Sequence, residues 1–229
     1  MNDLDVLEQR LGVTFQNKDT LRQALVHRSY LNEHPEFPLG QNERLEFLGD
    51  AVLELVVTEN LYNNYENPEG ELTNWRASLV NAEMLASICH RLEAEEFLFL
   101  SKGEARDDNS KARKYILANV FEAIIGAIYL DLGWDSAKAF IERTVLVELP
   151  HILQHRLYID PKSRFQEAAQ EHLGITPSYK VLSEEGPDHA KVFSVGVYLD
   201  KDLIATGEGT SKHEGQVAAA EKAIAIKSW

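Results

Sequence analysis

Through roughly the first 150 residues, apolar positions recur at helical spacing. Leu4, Leu7 and Leu11, then Leu21, Ala24 and Leu25, fall on single faces of successive helices. The polar, Pro-containing stretch from Ser29 to Gly40 predicts a loop. The segment that follows carries Leu45, Phe47, Leu48, Val52, Leu53, Leu55, Val56 and Val57, and is apolar on nearly every side, the pattern of a core helix. Asn63 to Gly70 ends it, and the next helix is predicted from Thr73 through Met84, Leu85 and Ile88. A charged loop from Ser101 to Lys114 leads into a second, almost wholly apolar helix, Ile116 to Leu130. No strand-like alternation occurs before residue 175, and no internal repeat is visible.

The pattern changes near residue 160. Asp160 and Pro161 form an N-cap followed by proline at the first helical position, and the helix from Lys162 to His172 stops at Gly174. Alternation then appears at Tyr179, Val181 and Ser183, at Val192, Ser194, Gly196 and Tyr198, and at Leu203, Ala205 and Gly207. This predicts three short antiparallel strands. An Ala-rich helix from Ser211 to Lys227 closes the chain, its Ala218, Ala219 and Ala220 suited to packing on a sheet. The expected organisation is an all-α domain over 1–155, a linker over 156–160, and a small α+β domain of order α-β-β-β-α over 161–229.

Polar residues inside the two apolar helices carry the chemistry. Glu43, Glu46 and Asp50 stand at i, i+3 and i+7 and share one face. The one cation near them in sequence, Arg44, falls on a different face. In the second helix, Asn119 and Glu122 are the only polar interruptions before Asp131. Buried carboxylates without basic partners need a cation, and hard divalent ions prefer oxygen ligands. If the helices pack together, Glu46, Asp50, Asn119 and Glu122 converge on one or two Mg²⁺ ions; otherwise the acids form a stripe facing water.

Composition narrows the setting. Among 229 residues, 44% are hydrophobic and 26% charged, as in a globular protein. No apolar run reaches the roughly 18 residues a membrane span needs, so no membrane partner is expected. The acidic start, Asn2-Asp3-Leu4-Asp5, lacks a signal peptide's basic and apolar regions. The single Cys89 fits a reducing compartment, so the expected location is cytoplasmic. The net charge is −14, and residues 160–229, with 8 basic and 11 acidic side chains, are themselves acidic. Any binding of nucleic acid must rest on local clusters and on cations rather than on a broad basic face.

The run Asn42-Glu43-Arg44-Leu45-Glu46-Phe47-Leu48-Gly49-Asp50-Ala51-Val52-Leu53 resembles the signature of the ribonuclease III family. Ile116 to Asp131 resembles that family's second metal-binding helix, and the tail resembles a double-stranded-RNA-binding domain. The resemblance covers essentially the whole chain, in the order of the bacterial enzymes. It implies an all-α nuclease domain and an Mg²⁺-dependent endoribonuclease, with Mn²⁺ able to substitute. Such an enzyme cuts double-stranded RNA to products with 5′-phosphates and short 3′ overhangs, and processes precursor ribosomal RNA and structured messages. Asp50 and Glu122 match the family's catalytic positions, and Glu43 and Glu69 match further acids of its catalytic valley. Where the family most often has Asp, this chain has Asn119, which implies weaker metal affinity. Family members are homodimers, and Phe47 matches a position that inserts into the partner.

In the tail, the resemblance places RNA contacts at three points. Gln166 and Glu167 match the first helix, Gly186-Pro187-Asp188-His189 matches the family's loop with Pro187 and His189 at its contacts, and Lys212, His213 and Gln216 match the start of the last helix. Only Lys212 remains of the three lysines usual there, which implies weak, salt-sensitive recognition of duplex shape rather than sequence. The competing reading is a catalytically silent protein that binds duplex RNA on the same fold. A di-iron carboxylate protein is disfavoured, since its Glu-x-x-His motif occurs only at Glu148/His151, interrupted by Pro150.

Overall fold

The computed structural model describes residues 3–106, 111–187 and 191–229. The chain divides into a helical unit, Met1–Tyr158, and a smaller mixed unit, Ile159–Trp229. The helical unit runs α1 (Leu4–Leu11), α2 (Lys18–Ala24), α3 (Arg28–Glu33), α4 (Glu43–Asn64), α5 (Glu69–Val80), α6 (Ala82–Arg91), α7 (Lys111–Leu132), α8 (Trp134–Thr144) and α9 (Leu149–Gln154). The mixed unit runs α10 (Pro161–Leu173), β1 (Ser178–Glu185), β2 (Val192–Leu199), β3 (Asp202–Gly209) and α11 (Lys212–Lys227).

In the helical unit, α7 is the axis around which α2, α4, α6 and α8 pack. Val120, Phe121, Ala123, Ile124, Ile125, Ala127 and Ile128 are fully enclosed, which accounts for a helix that is apolar nearly all round. By length and composition alone α7 could cross a membrane. Asn119 and Glu122 interrupt its apolar run, and it passes on its average. In the fold, 61% of its most apolar stretch is buried inside the protein.

Local capping explains two corrections. The stretch expected to be loop from Ser29 to Gly40 contains α3, capped by the His27 ring, whose Nδ1 accepts from the Ser29 N–H. Tyr30 of this helix packs edge-on against Phe37 and Phe99. The helix expected from Thr73 through Ile88 is two helices, α5 and α6, and begins earlier, at Glu69. They break at Asn81, whose backbone is extended and whose side chain accepts the Met84 N–H at 2.9 Å; a cap gained there replaces a helical residue.

In the mixed unit, Asp160 accepts the Ser163 N–H, Pro161 opens α10, and Gly174 ends it in the left-handed conformation. The strands form one antiparallel sheet in the order β1-β2-β3. Its covered face carries Val197, Leu199 and Ala205, packed with Phe165, Ala169, Ala219 and Ala220 of the helices, and the buried Val195, which lies against Gly215 of α11. The β2 residues that marked the strand, Val192, Ser194, Gly196 and Tyr198, alternate onto the other face. At Gly207 a Cβ would meet the Gly215 carbonyl oxygen at 2.6 Å, so only glycine lets α11 lie this close to β3.

Candidate active site

Two glycines bring the acidic residues together. A Cβ on Gly49 of α4 would collide with the carbonyl oxygen of Glu122 and stand 2.8 Å from the Gly126 amide nitrogen. A Cβ on Gly126 of α7 would collide with the Leu45 carbonyl oxygen and stand 3.2 Å from the Gly49 nitrogen. The two helices therefore cross with their backbones in contact, which only residues without side chains permit. Glu46 and Asp50 flank Gly49, and Asn119 and Glu122 precede Gly126, so the crossing makes neighbours of all four.

Their protonation registers that proximity. Glu122 is half-buried and its carboxyl is pushed up to about 8, first by burial and then by the negative charges of Asp50, Glu46 and Glu54. Glu46 is also raised, by burial, by Glu43 and by Asp50, while the opposing Asn119 amide acts to lower it. Arg76 pairs with Glu54 at 2.9 Å and Arg28 approaches Glu43 at 3.9 Å. Among the described residues, no lysine or arginine pairs with Glu46, Asp50 or Glu122.

The donor set of carboxylates and one amide oxygen fits a hard divalent cation. The expected convergence is looser than a closed cage: among the described residues, no three His, Cys, Asp or Glu side chains surround a common point. Asp50 is exposed while Glu122 is half-buried, so the carboxylates interact across the crossing without meeting at one centre. Glu43 is exposed at the start of α4, on a cleft of about 600 Å³ that also includes Glu46 and Asn119. Glu69 is not in that cleft; it opens α5 and lines a separate groove with Tyr62, Tyr65 and Leu72. Phe47 is 80% exposed, which excludes a place in the core of its own chain.

Sequence reading missed three residues beside the cluster. Glu54, which raises Glu122, stands at i+4 from Asp50, a spacing that could have flagged it. His27 and Arg28 line the same cleft as Glu43 and Glu46, and nothing in their local sequence marks them.

In the mixed unit, Gln166 and Glu167 are exposed on α10 and Pro187 is exposed after β1. His189 lies outside the described residues. At the start of α11, the Lys212 Nζ pairs with Glu184 at 3.3 Å and lies over the Phe193 ring. His213 is exposed, and Gln216 accepts a hydrogen bond from the Lys162 Nζ at 2.7 Å. Lys212 and Gln216 are thus engaged within their own domain.

Comparison with known proteins agrees with this architecture. Residues 17–149 match the family model described as ribonuclease-III-like, and residues 161–227 match the double-stranded RNA binding motif. The chain is 41% identical over 227 residues to Ribonuclease 3 of Nitratiruptor sp., covering 99% of this chain and 97% of that one. It is 42% identical over 224 residues to Ribonuclease 3 of Oceanobacillus iheyensis, covering 97% of each. A solved nuclease domain of ribonuclease III from Campylobacter jejuni, described for structural flexibility in a region involved in dimer formation, superposes with a TM-score of 0.57 at 38% identity, covering 65% of this chain and 99% of that domain. With a helical nuclease domain followed by a double-stranded-RNA-binding domain, this endoribonuclease belongs to the ribonuclease III family.

Proposed function

We propose that the chain cuts both strands of duplex RNA in a reaction dependent on Mg²⁺, with Mn²⁺ able to replace it, and leaves 5′-phosphates and short 3′ overhangs. Glu46, Asp50, Glu122 and the Asn119 oxygen are the metal donors in this reading. The backbone contact at Gly49 and Gly126 carries it: it gathers Glu46, Asp50 and Glu122 with no lysine or arginine paired to them among the described residues, and a cation is what such a cluster needs. Bound there, a divalent ion supplies positive charge that steadies the attacked phosphodiester and makes water a better nucleophile at neutral pH. The chain's own residues do the rest. Gly49 and Gly126 fix the spacing between the two acid-bearing helices. Glu122 shields the inner side of the cluster from water, and the exposed Asp50 is the carboxylate that an incoming strand meets.

The same reading includes a homodimer. Phe47, Ala51, Leu55 and Tyr62 are all exposed and follow one another along one face of α4. If a second copy packs antiparallel about Leu55, Phe47 of one protomer comes to the Tyr62 end of the stripe on its partner. The groove shared by Tyr62, Tyr65 and Leu72 can receive a phenyl ring there. Glu69 lines that groove, so each valley would gain the partner's acid beside Glu43. Precursor ribosomal RNA and structured messages in the cytoplasm are the proposed substrates. The test is cleavage of a long labelled duplex with and without millimolar Mg²⁺, using wild type and Glu122→Ala. Mg²⁺-dependent cutting of duplex but not of single strands, lost in Glu122→Ala, is the expected result. Tight binding without cutting in either metal would refute it.

A further inference from the structure

The cleft that holds Glu43, Glu46 and Asn119 is also lined by His27 and Arg28. His27 is rigidly placed. Its backbone N–H donates to the Phe99 carbonyl at 3.1 Å and its carbonyl accepts from Tyr30 at 3.0 Å. The preceding Val26 carbonyl accepts the Asn42 N–H at 2.9 Å, and the buried Asn42 side chain donates to the Ala24 carbonyl at 3.1 Å. Asn42 stands just before α4, so His27 is tied directly to the turn that presents Glu43 and Glu46.

The ring is oriented as well. Its Nδ1 lies 2.8 Å from the Ser29 Oγ and accepts from the Ser29 N–H at 3.4 Å. The Ser29 Oγ itself accepts the Ser101 N–H at 3.1 Å, which leaves its hydroxyl proton to point at Nδ1. With Nδ1 an acceptor, a neutral imidazole carries its proton on Nε2. Burial lowers the His27 pKa, against the opposing pull of Glu104 and Glu43, so the neutral form prevails at pH 7. Among the described residues, Nε2 has no hydrogen-bond partner. Beside it, the exposed Arg28 guanidinium meets Glu43 at 3.9 Å, a pair too long and too solvated to hold it.

A phosphodiester strand entering this cleft meets Glu43, Glu46 and Glu104, all acidic. It needs donors within the same cleft. We infer that His27 Nε2–H and the Arg28 guanidinium together bind one non-bridging phosphate oxygen of the RNA strand being cut. This rests on the reading of the Glu46, Asp50, Glu122 cluster as the cutting site, and adds to it a phosphate clamp in the cleft that holds Glu46. The two donors are complementary: a fixed neutral N–H sets position, and a mobile cation follows the charge.

The experiment uses the full chain, a short RNA duplex and the variant His27→Asn. Asparagine retains an acceptor for the Ser29 N–H and so preserves the cap, but it cannot reach with a ring Nε2–H. We expect an unchanged melting temperature, a KM raised about tenfold, and a kcat within about threefold of wild type, since a contact made equally before and during the reaction moves KM. A series of duplexes, each carrying one neutral methylphosphonate, then locates the contact. At one position the wild type should lose affinity and the His27→Asn penalty should disappear; Arg28→Gln, on an exposed side chain, should show its loss at the same position. An unaltered KM in both variants, or a penalty equal across every duplex, overturns the clamp. A wild type that cuts no duplex under Mg²⁺ overturns the wider reading instead.

Discussion

Converting Glu122 to glutamine should change how stability depends on pH. In the metal-free folded chain the Glu122 carboxyl is pushed up to about 8, against an ordinary value of 4.5. Below pH 4.5 both the folded and unfolded chains hold this proton, and the group adds no pH dependence. Between 4.5 and about 8 the folded chain keeps a proton that the unfolded chain has released, so stability falls as pH rises; above about 8 the loss is complete. At about 1.4 kcal/mol per pH unit the whole interval amounts to about 5 kcal/mol, and solvent reaching a half-buried carboxyl reduces this to about 2–3 kcal/mol. Glutamine has the same shape and never ionises. In urea denaturation with EDTA at fixed protein concentration, Glu122→Gln should match wild type near pH 4.5 and exceed it by about 2–3 kcal/mol at pH 8.5. The same proton should appear in the metal reaction: Mg²⁺ titrated into wild type at pH 7 should release close to one proton, read by calorimetry in buffers of different ionisation enthalpy, and Glu122→Gln should release less. Parallel pH profiles for the two proteins would refute the argument, because they would mean that burial and the charges of Asp50 and Glu46 do not hold the Glu122 proton.

Four other outcomes follow from the same geometry. Gly49→Ala places a methyl against the Glu122 carbonyl and should cost about 3 kcal/mol or more, with lower kcat as Asp50 and Glu122 separate; a melting temperature within a degree of wild type would exclude backbone contact at the crossing. Phe47→Ala should leave the isolated chain's stability unchanged but weaken self-association by about 2 kcal/mol, or about thirtyfold, if this ring anchors the interface; identical light-scattering dilution curves would count against it. Glu184→Gln releases Lys212 from its ion pair and should raise duplex affinity about fivefold at low salt, with a salt slope steeper by about one; an unchanged slope means that Lys212 touches no phosphate. Asn119→Asp adds a fourth carboxylate and should lower the Mg²⁺ concentration for half-maximal cleavage, which an activity titration checks.

What the sequence made legible, and what it hid, follows from the range of the forces involved. The cap at Asp160, the proline after it and the stop at Gly174 are local chemistry, and α10 begins and ends where they say. The four metal-donor candidates, three carboxylates and one amide, were legible because a polar group within an apolar helix is costly wherever that helix packs. Their contact was not, because it depends on Gly49 and Gly126, and a glycine in a sequence does not say which backbone will press against it. Phe47 shows the limit of apolar patterning: as one of many greasy positions it reads as core, yet α4 has more apolar faces than a single chain covers. The exposed Phe47, Leu55 and Tyr62 on one face of a helix whose other apolar residues lie in the core are what the proposed second copy would cover. His27 escaped for the opposite reason. Its place in the cleft with Glu43 is set by long-range bonds, from its own N–H to Phe99 and from Asn42 to the adjoining Val26, and no periodicity in the sequence encodes them. The acids are therefore written in the helices that carry them, while the donors that share their cleft are written only in the fold.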